Sequence, residues 1–202
     1  MSSSDAGDHH GGPTDPLHVT HSQTAPAAPS DNQAAPGDSP AERGAADPWT
    51  VARYMASVNP VMKATGMRIL DTRAGYARMS MFISEQYGNT YGVCHGGVVF
   101  SLADMCFGLA GNSHNVRCVT ASADIDYISP GNVGADLYAE ATEVHLGKRT
   151  ALYDVRVTNA DGSVAALARF KGRRLGGPVV PPDGAERPEQ LTTPKTPPPR
   201  DH

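Results

Sequence analysis

The chain has 202 residues, of which 39% are apolar and 6% aromatic, and its formal net charge is −4. This length fits one domain with additional segments, and no stretch approaches the roughly 18–20 unbroken apolar residues that a membrane-spanning helix needs. The three cysteines include no C-x-x-C pair, and the N-terminus lacks the basic and apolar regions of a secretory signal. We therefore expect a reduced, cytoplasmic protein without a disulfide framework or a metal site.

Prolines and aromatic residues divide the chain into a folded middle and two tails. Residues 1–47 and 176–202 are rich in proline and contain no Phe, Trp or Tyr, so we expect both to be disordered. The middle, Pro48–Leu175, holds every aromatic residue and is predicted to be the single domain. Because the N-terminal tail is strongly acidic, the domain itself is mildly cationic, which suits a small anionic ligand and falls short of a nucleic-acid-binding surface.

The first predicted element is a helix from Pro48 to about Thr65, with Asp47 as its N-cap and a break or kink at Pro60. Two short strands are expected next, near Met67–Arg73 and Tyr76–Ser84. A glycine-rich loop then leads to the most apolar part of the chain.

The segment Val98–Gly111 is apolar on nearly every side, which is typical of a helix buried all round. After it the hydrophobic period changes to two, which indicates strands. Four are predicted, at Val119–Tyr127 and at about Ala135–His145, Thr150–Thr158 and Ser163–Lys171. A strand pair, a buried helix and an antiparallel meander of about four strands predict an α+β fold, in which the sheet curls round one central helix.

Asp104 is the only charged residue in the apolar helix. Burying an unpaired carboxylate is costly, so such groups either shift their pKa upward or find partners, and a raised pKa suits a general base or a nucleophile. Two structural alternatives stand beside this functional one. Asp104 could lie on a solvent-facing edge of the helix, or it could be a satisfied structural carboxylate.

Gly96 and Gly97 stand at the start of the same helix. Their N–H groups, together with the helix dipole, could polarise a carbonyl and hold a developing oxyanion. Gly96 and Asp104 are separated by about 12 Å of helical rise, too far for both to touch one carbonyl. A site that uses both therefore requires a second copy of the chain, with the two central helices antiparallel.

Three residues of the preceding loop are further candidates. His95 is either an acid–base group or, as we favour, a residue that orients the loop and caps the helix. A Cys94–His95 nucleophile and base is disfavoured, because adjacent loop residues seldom face each other. Asn89 could donate a hydrogen bond to a carbonyl or stabilise a turn. Later in the chain Lys148, Arg149, Arg173 and Arg174 could meet phosphates, or form a solvated basic edge.

Three motifs resemble the hotdog-fold acyl-CoA thioesterases, most closely the phenylacetate-degradation (PaaI-type) thioesterases. They are N-x-x-x-x-C-H-G-G-x-x-F-S-L-A-D from Asn89 to Asp104, D-Y-I-S-P-G from Asp126 to Gly131, and G-K-R-T-x-x-Y-D-V-x-V-x-N from Gly147 to Asn159. The resemblance covers about Pro48 to Arg174. It implies a hotdog fold with the active site at a homodimer interface, and dimers that often pair into tetramers.

The resemblance also implies roles for single residues. Asp104 matches the catalytic carboxylate, as nucleophile or general base, and Gly96 matches the residue whose N–H polarises the thioester carbonyl. Asn89 matches a residue that orients the thioester, and His95 holds the H-G-G turn. Thr120 matches a residue that positions water, with Ser122, expected on the same strand face, as its rival. The remaining substrate-binding residues expected are Gly97, Tyr127, His145, Gly147, Lys148, Arg149, Thr150 and Arg173.

Two positions depart from the family pattern. Ser129 stands where many members have Arg, which leaves more of the phosphate binding to Lys148 and Arg149. Gly108, one turn after Asp104, provides no hydroxyl where certain aryl-CoA thioesterases have one.

The resulting prediction is an enzyme that hydrolyses phenylacetyl-CoA, or a hydroxylated derivative, to the free acid and coenzyme A. No cofactor is expected, because coenzyme A enters as part of the substrate, and neither nucleic acid nor membrane is an expected partner. Two alternatives stay open: a hotdog hydratase or dehydratase of enoyl or hydroxyacyl thioesters, and a non-catalytic acyl-CoA-binding module.

Overall fold

The computed structural model describes residues 46–182. In chain order its elements are α1 (Pro48–Val58), α2 (Pro60–Thr65), β1 (Arg68–Arg73), β2 (Tyr76–Phe82), a short 3-10 helix (Glu85–Tyr87), α3 (Gly96–Asn112), β3 (Cys118–Tyr127), β4 (Asp136–Leu146), β5 (Thr150–Asn159) and β6 (Val164–Arg174). Within this range no helix combines the length and apolarity needed to cross a membrane.

The start and the break of the first helical segment are confirmed. The Asp47 carboxylate accepts hydrogen bonds from the N–H groups of Trp49 and Thr50, as an N-cap does. Pro60 ends α1, because proline has no N–H to continue the helical ladder. Asn59, which separates the two helices, caps α2 in turn by accepting two N–H bonds from its first turn.

The six strands form one antiparallel sheet in the order β1-β2-β4-β5-β6-β3. The predicted four-strand meander is therefore wrong for β3, which lies at the far edge beside β6 instead of next to β4. Only β4, β5 and β6 form a meander. The six strand positions were predicted to within three residues at each end, but alternation along a strand carries no information about its neighbours.

The segment between β3 and β4 explains this strand order, because it returns along the ends of the intervening strands. The N–H of Ile128 bonds to the carbonyl of Ala165 in β6, and the N–H of Asn132 bonds to the side chain of Asn159 in β5. Farther on, the N–H of Gly134 reaches the carbonyl of Ile83, just after β2. The chain thereby crosses from one edge of the sheet to its middle.

Helix α3 packs on one face of the sheet, called here the inner face, and buries its aromatic core there. The ring of Phe107 stacks on Phe170 of β6, with centroids 5.0 Å apart, and meets Tyr153 of β5 edge-on at 5.4 Å. Gly172 allows this approach, because a Cβ atom there would lie 3.1 Å from the Phe107 ring and 2.6 Å from Cys118 Sγ. The predicted α+β architecture with one buried helix is confirmed.

The folded domain extends beyond its predicted end. Residues from Gly176 onward were expected to be disordered, yet Val179 is buried and donates its N–H to Asn115 Oδ1 at 3.0 Å, as does Val180. The reason is local: Asn115 offers an acceptor and Val179 has an apolar side chain to bury. The rest of the two predicted tails, 1–45 and 183–202, lies outside the described residues.

Candidate active site

The loop before α3 is built around Asn89. Its Oδ1 accepts hydrogen bonds from the N–H groups of Tyr91, at 2.8 Å, and Val93, at 3.3 Å. Because only oxygen can accept, these bonds assign the amide orientation and turn Nδ2 away from the loop. Nδ2 has no acceptor among residues 46–182. Asn89 thus stabilises the turn, one of its two predicted roles, and still keeps a side-chain donor for the other.

His95 caps α3. Its Nδ1 accepts the N–H of Gly97 at 3.0 Å, and its own N–H bonds to the carbonyl of Tyr87. The preferred role, orienting the loop and capping the helix, is confirmed. The Gly97 N–H, counted among the substrate donors from sequence, is already used by this bond. That of Gly96 meets no acceptor in the part of the chain that the structure describes.

Tyr127 packs closely against Gly96. Its ring lies so close that a Cβ atom on Gly96 would come within 3.3 Å of it. Its hydroxyl donates to the Gly96 carbonyl at 2.9 Å. This bond ties the end of β3 to the first residue of α3, and the substrate contact expected of Tyr127 stays a prediction.

The Cys94–His95 pairing is absent. Cys94 Sγ lies 3.6 Å from the backbone carbonyl of His95, while the His95 ring bonds to Gly97. Burial raises the pKa of the Cys94 thiol to about 11, so it is protonated at neutral pH. A neutral, buried thiol is a poor nucleophile.

Asp104 lies two turns into α3, on a part-buried face, and its carboxylate is hydrogen-bonded. Thr120 Oγ1 of β3 donates to Asp104 Oδ1 at 2.6 Å. The second carboxylate oxygen, Oδ2, has no hydrogen-bond partner within residues 46–182. The carboxylate is therefore held by one oxygen while the other remains available for chemistry.

Ser122 cannot replace Thr120, because a β-bulge separates them. Thr120 lies opposite Gly172 of β6, whereas Ser122 lies opposite Lys171, the next residue. The extra residue at the bulge turns Ser122 to the outer face of the sheet, where it lines a groove with Lys171 and Asp124. The prediction that both residues share one face is wrong, since simple alternation assumes a strand without a bulge.

The predicted coenzyme A residues gather at one end of the sheet. The β4–β5 hairpin carries Lys148 and Arg149, both exposed, and Arg174 braces it by donating to the carbonyls of Arg149 and Gly147. Arg174 was a candidate for binding phosphate; in the structure its guanidinium is hydrogen-bonded to the hairpin backbone. Arg173 pairs with Thr150 of β5 on one side and with Val119 of β3 on the other. Val119 is the residue before Thr120.

His145 belongs to the same end of the sheet. It is exposed on β4 beside a second bulge, between Glu143 and His145, and pairs with Leu152. With Gly147 and Thr150 it surrounds the base of the hairpin. The structure therefore places the basic residues of the hairpin and of β6 near the strand that carries Thr120.

A second cluster, on the inner face, was missed from sequence. Glu143 Oε2 accepts hydrogen bonds from Tyr153 Oη and from His114 Nε2, each at 2.7 Å. Burial favours a raised pKa for the Glu143 carboxyl, but the bonds from His114 and Tyr153 lower that pKa below its ordinary value. The sequence did contain a signal for this cluster: alternation along β4 puts Glu143 on the apolar face with Leu137, Ala139 and Ala141.

Comparison with known proteins gives the family. The model of the thioesterase superfamily matches residues 91–166. The acyl-coenzyme A thioesterase PaaI of Escherichia coli is 37% identical over 132 residues, which cover 65% of this chain and 94% of PaaI. The chain belongs to the PaaI-type hotdog thioesterases. The structure of E. coli PaaI, from the phenylacetic acid degradation operon, matches with a TM-score of 0.64 over 65% of this chain and 95% of PaaI.

Two streptococcal structures hold coenzyme A compounds. One is a Streptococcus mutans protein bound to acetyl CoA, and the other is a hypothetical thioesterase of Streptococcus pneumoniae with coenzyme A. Each is 30% identical to this chain and matches with a TM-score of 0.53. Each match covers 55% of this chain and 89% of the streptococcal chain. This PaaI-type thioesterase is therefore an acyl-CoA thioesterase, as predicted, rather than a hydratase or a non-catalytic binding module.

Proposed function

We propose that this thioesterase hydrolyses phenylacetyl-CoA, or a hydroxylated derivative, with Asp104 as the catalytic carboxylate and the Gly96 N–H as the carbonyl-polarising donor. The observation that carries the mechanism is the short hydrogen bond from Thr120 to Asp104. A carboxylate held by one oxygen keeps its orientation while the other oxygen reacts.

The streptococcal relatives support this pair of residues. Two further structures of the S. pneumoniae protein carry alanine in place of one Asp and of one Thr, at positions with the same sequence separation as Asp104 and Thr120 here, which is 16 residues. The equal separation supports the proposal that this Asp and Thr correspond to Asp104 and Thr120 of this chain.

The carbonyl oxygen would bind at the N-terminus of α3. Backbone N–H groups at a helix start favour negative charge, because they are unpaired and lie at the positive end of the helix dipole. With the Gly97 N–H taken by His95, the Gly96 N–H is the donor that can stabilise the oxyanion. The Asn89 amide offers a second donor from the loop.

A homodimer would complete the site. Gly96 and Asp104 belong to one helix and are separated by about 12 Å of rise, so one carbonyl cannot contact both within a chain. Strand β3 lies at an open edge of the sheet, and only Cys118 and Ile125 of its ten residues are not exposed. Pairing β3 with its copy would cover Val119 and Tyr127 and bring a second α3 alongside the first. We further propose that these dimers pair into a homotetramer, as the family resemblance implies.

Two chemical routes fit this geometry. In the first, Asp104 Oδ2 attacks the thioester carbonyl, the coenzyme A thiolate leaves, and water hydrolyses the resulting mixed anhydride. In the second, Asp104 accepts a proton from water as the water attacks, and that proton passes to the departing thiolate. Both routes consume one water and release one acid and one thiol. A single turnover in water labelled with heavy oxygen can identify the first route, because label in the protein requires the anhydride and its hydrolysis at the Asp104 carbonyl carbon, which the second route does not provide.

Coenzyme A phosphates would be bound by Lys148, Arg149 and Arg173. All three are exposed and lie at the end of the sheet from which β3 starts. The arylacetyl group is proposed from the similarity to PaaI of the phenylacetic acid degradation operon. At Gly108, one turn beyond Asp104, a Cβ atom would meet nothing within 4 Å, so the helix leaves space there.

Release of free thiol from a panel of acyl-CoAs tests this proposal. We expect phenylacetyl-CoA or a hydroxylated derivative to react fastest, and Asp104→Asn to lose about 10²–10⁴-fold in kcat with the fold intact. Asp161→Asn is the matched control, because Asp161 is an exposed turn residue whose side-chain acceptor an amide can replace. More than about a third of wild-type turnover in Asp104→Asn would refute the catalytic assignment. Activity confined to aliphatic thioesters would refute the aryl substrate alone.

A further inference from the structure

Asn112, the last residue of α3, joins the central helix to the backbone of β3. Its Oδ1 accepts the N–H of Cys118, and its Nδ2 donates to the carbonyls of Cys118 and Gly108, all at 2.8 Å. The residue is only 6% exposed. Because the three bonds use Oδ1 and both amide hydrogens, the side chain is held in one orientation. The amide binds Cys118 as a neighbouring strand would, through one donor and one acceptor.

This contact lies close to the catalytic pair. Cys118 and Thr120 are one pleat apart on the inner face of β3, and Asn112 and Asp104 lie on the same helix. Helix and strand are therefore joined at two points, Asn112 to Cys118 and Asp104 to Thr120. The second contact can form only at a limited range of separations between β3 and α3, because a hydrogen bond requires its two heavy atoms to lie within about 3 Å.

The sheet alone does not set this separation. Strand β3 has one neighbour, β6, and its bulge follows immediately after Thr120. Ladder hydrogen bonds run within the plane of the sheet, so they locate β3 beside β6 without determining its height above α3. Gly172 lets sheet and helix approach closely here, because a Cβ atom there would lie 3.1 Å from the Phe107 ring of α3.

We propose that Asn112 is a positioning residue for thioester hydrolysis, which holds β3 at the height above α3 that lets Thr120 orient Asp104. This inference rests on the proposed catalytic role of Asp104. It predicts that Asn112 acts on turnover through Thr120, and that coenzyme A binding changes little, because the proposed contacts Lys148 and Arg149 lie on the β4–β5 hairpin and Arg173 belongs to β6.

A double-mutant cycle tests the connection, with kcat and KM measured on phenylacetyl-CoA or on the thioester that the panel selects. Asn112→Ala and Thr120→Val are each expected to lower kcat by about tenfold, the scale of a lost hydrogen bond to a charged group, with KM unchanged. The double variant is expected to be no slower than Thr120→Val, because its Thr120 contact is already gone. A double variant slower by the product of the two single effects would overturn the inference.

Asn112→Asp provides a second test if Asn112→Ala does not fold. Its second carboxyl oxygen would face the carbonyls of Gly108 and Cys118, and only the protonated acid can donate to either. The kcat of the variant relative to wild type is therefore expected to fall as the pH rises, and this dependence is expected to vanish when Thr120 is also valine. A pH-independent ratio would overturn the inference.

Asn115→Gly is the matched control, since Asn115 is a buried amide in the same connection between α3 and β3. It binds Val179 and Val180 instead of β3, and glycine tolerates its φ of 54°. We expect lower stability with unchanged kcat; a loss of kcat equal to that of Asn112→Ala would refute a specific role for Asn112. Asp104→Asn in the same assay separates the two proposals, because retained activity there refutes the catalytic assignment itself.

Discussion

At the scale of the residue, hydrogen bonding determines which of several polar groups can react. Cys94 is buried with a raised pKa, and its neighbour His95 is committed to the helix cap. Asp104 differs because Thr120 holds one oxygen and leaves the second open. The hydrogen-bond partners and burial of each side chain, rather than its residue type, therefore distinguish the candidate nucleophiles of this segment.

Glu143 is expected to make stability depend on pH. Its pKa is lowered in the folded state by the bonds from His114 and Tyr153, so its stabilising contribution is present above its ordinary pKa and is lost as the pH falls through the lowered value. Glu143→Gln should lower the free energy of unfolding by about 1–3 kcal/mol at neutral pH and flatten its decline in acid.

Urea unfolding between neutral pH and pH of about 3 measures both effects. Glu140→Gln is the matched control, because Glu140 lies on the same strand and is exposed on the outer face. If Glu143→Gln and wild type lost stability in parallel as the pH fell, the ionised form of Glu143 would not be the stabilising one.

At the scale of the element, α3 supplies both proposed ends of the reaction and the hairpin between β4 and β5 supplies charge. The helix brings an N-terminal donor at Gly96 and a carboxylate at Asp104, while the hairpin presents Lys148 and Arg149 to solvent. The Arg174 guanidinium braces that hairpin by donating to the Gly147 carbonyl. In the proposed mechanism, α3 therefore provides the catalytic groups and the hairpin recognises coenzyme A.

The hairpin is expected to affect binding more than turnover. Lys148→Ala with Arg149→Ala should raise KM for acyl-CoA roughly three- to tenfold, because exposed charges bind phosphate weakly in water, and should leave kcat nearly unchanged. The same double variant should hydrolyse an acyl-pantetheine thioester, which lacks the nucleotide, as wild type does.

Steady-state kinetics at two salt concentrations provides the measurement, since added salt should reduce the difference between variant and wild type. Lys63→Ala, an exposed lysine on α2, is the control. An unchanged KM for acyl-CoA would mean that the hairpin does not contact the nucleotide.

At the scale of the whole molecule, the open edge of β3 and the distance between Gly96 and Asp104 point to one conclusion. An edge strand exposed on both faces invites pairing with a second copy, and a twofold axis would place Gly96 of one copy near Asp104 of the other. In that arrangement neither copy holds a complete site.

Subunit complementation tests this assembly. A chain carrying Asp104→Asn and a chain carrying Gly96→Val are each expected to be nearly inactive alone, the second because a valine side chain would have to displace the Tyr127 ring beside the proposed Gly96 donor. Mixed by unfolding and refolding together in equal amounts, they should recover about a quarter of wild-type activity, since half of the dimers would contain one intact site of two. Sedimentation gives the oligomeric state; a monomer, or a mixture no more active than its parts, would contradict the shared site.

The sequence alone determined the elements and the chemistry. Alternation and helical periodicity located every strand and the buried helix, because burial of one face imposes its period on the chain. The H-G-G turn and Asp104 indicated the reaction class, because those residue types in that order resemble a known thioesterase motif. The N-cap at Asp47 and the break at Pro60 followed from local backbone chemistry alone.

Only the tertiary structure decided how these elements meet. The place of β3 at the far edge depends on the path of the loop after it, and the bulge that separates Thr120 from Ser122 depends on pairing with β6. The side-chain contacts of Asn112 and Glu143 join them to other strands, β3 and β5. Each of these features is a contact between segments, and a periodic pattern within one segment contains no record of which other segment will lie beside it.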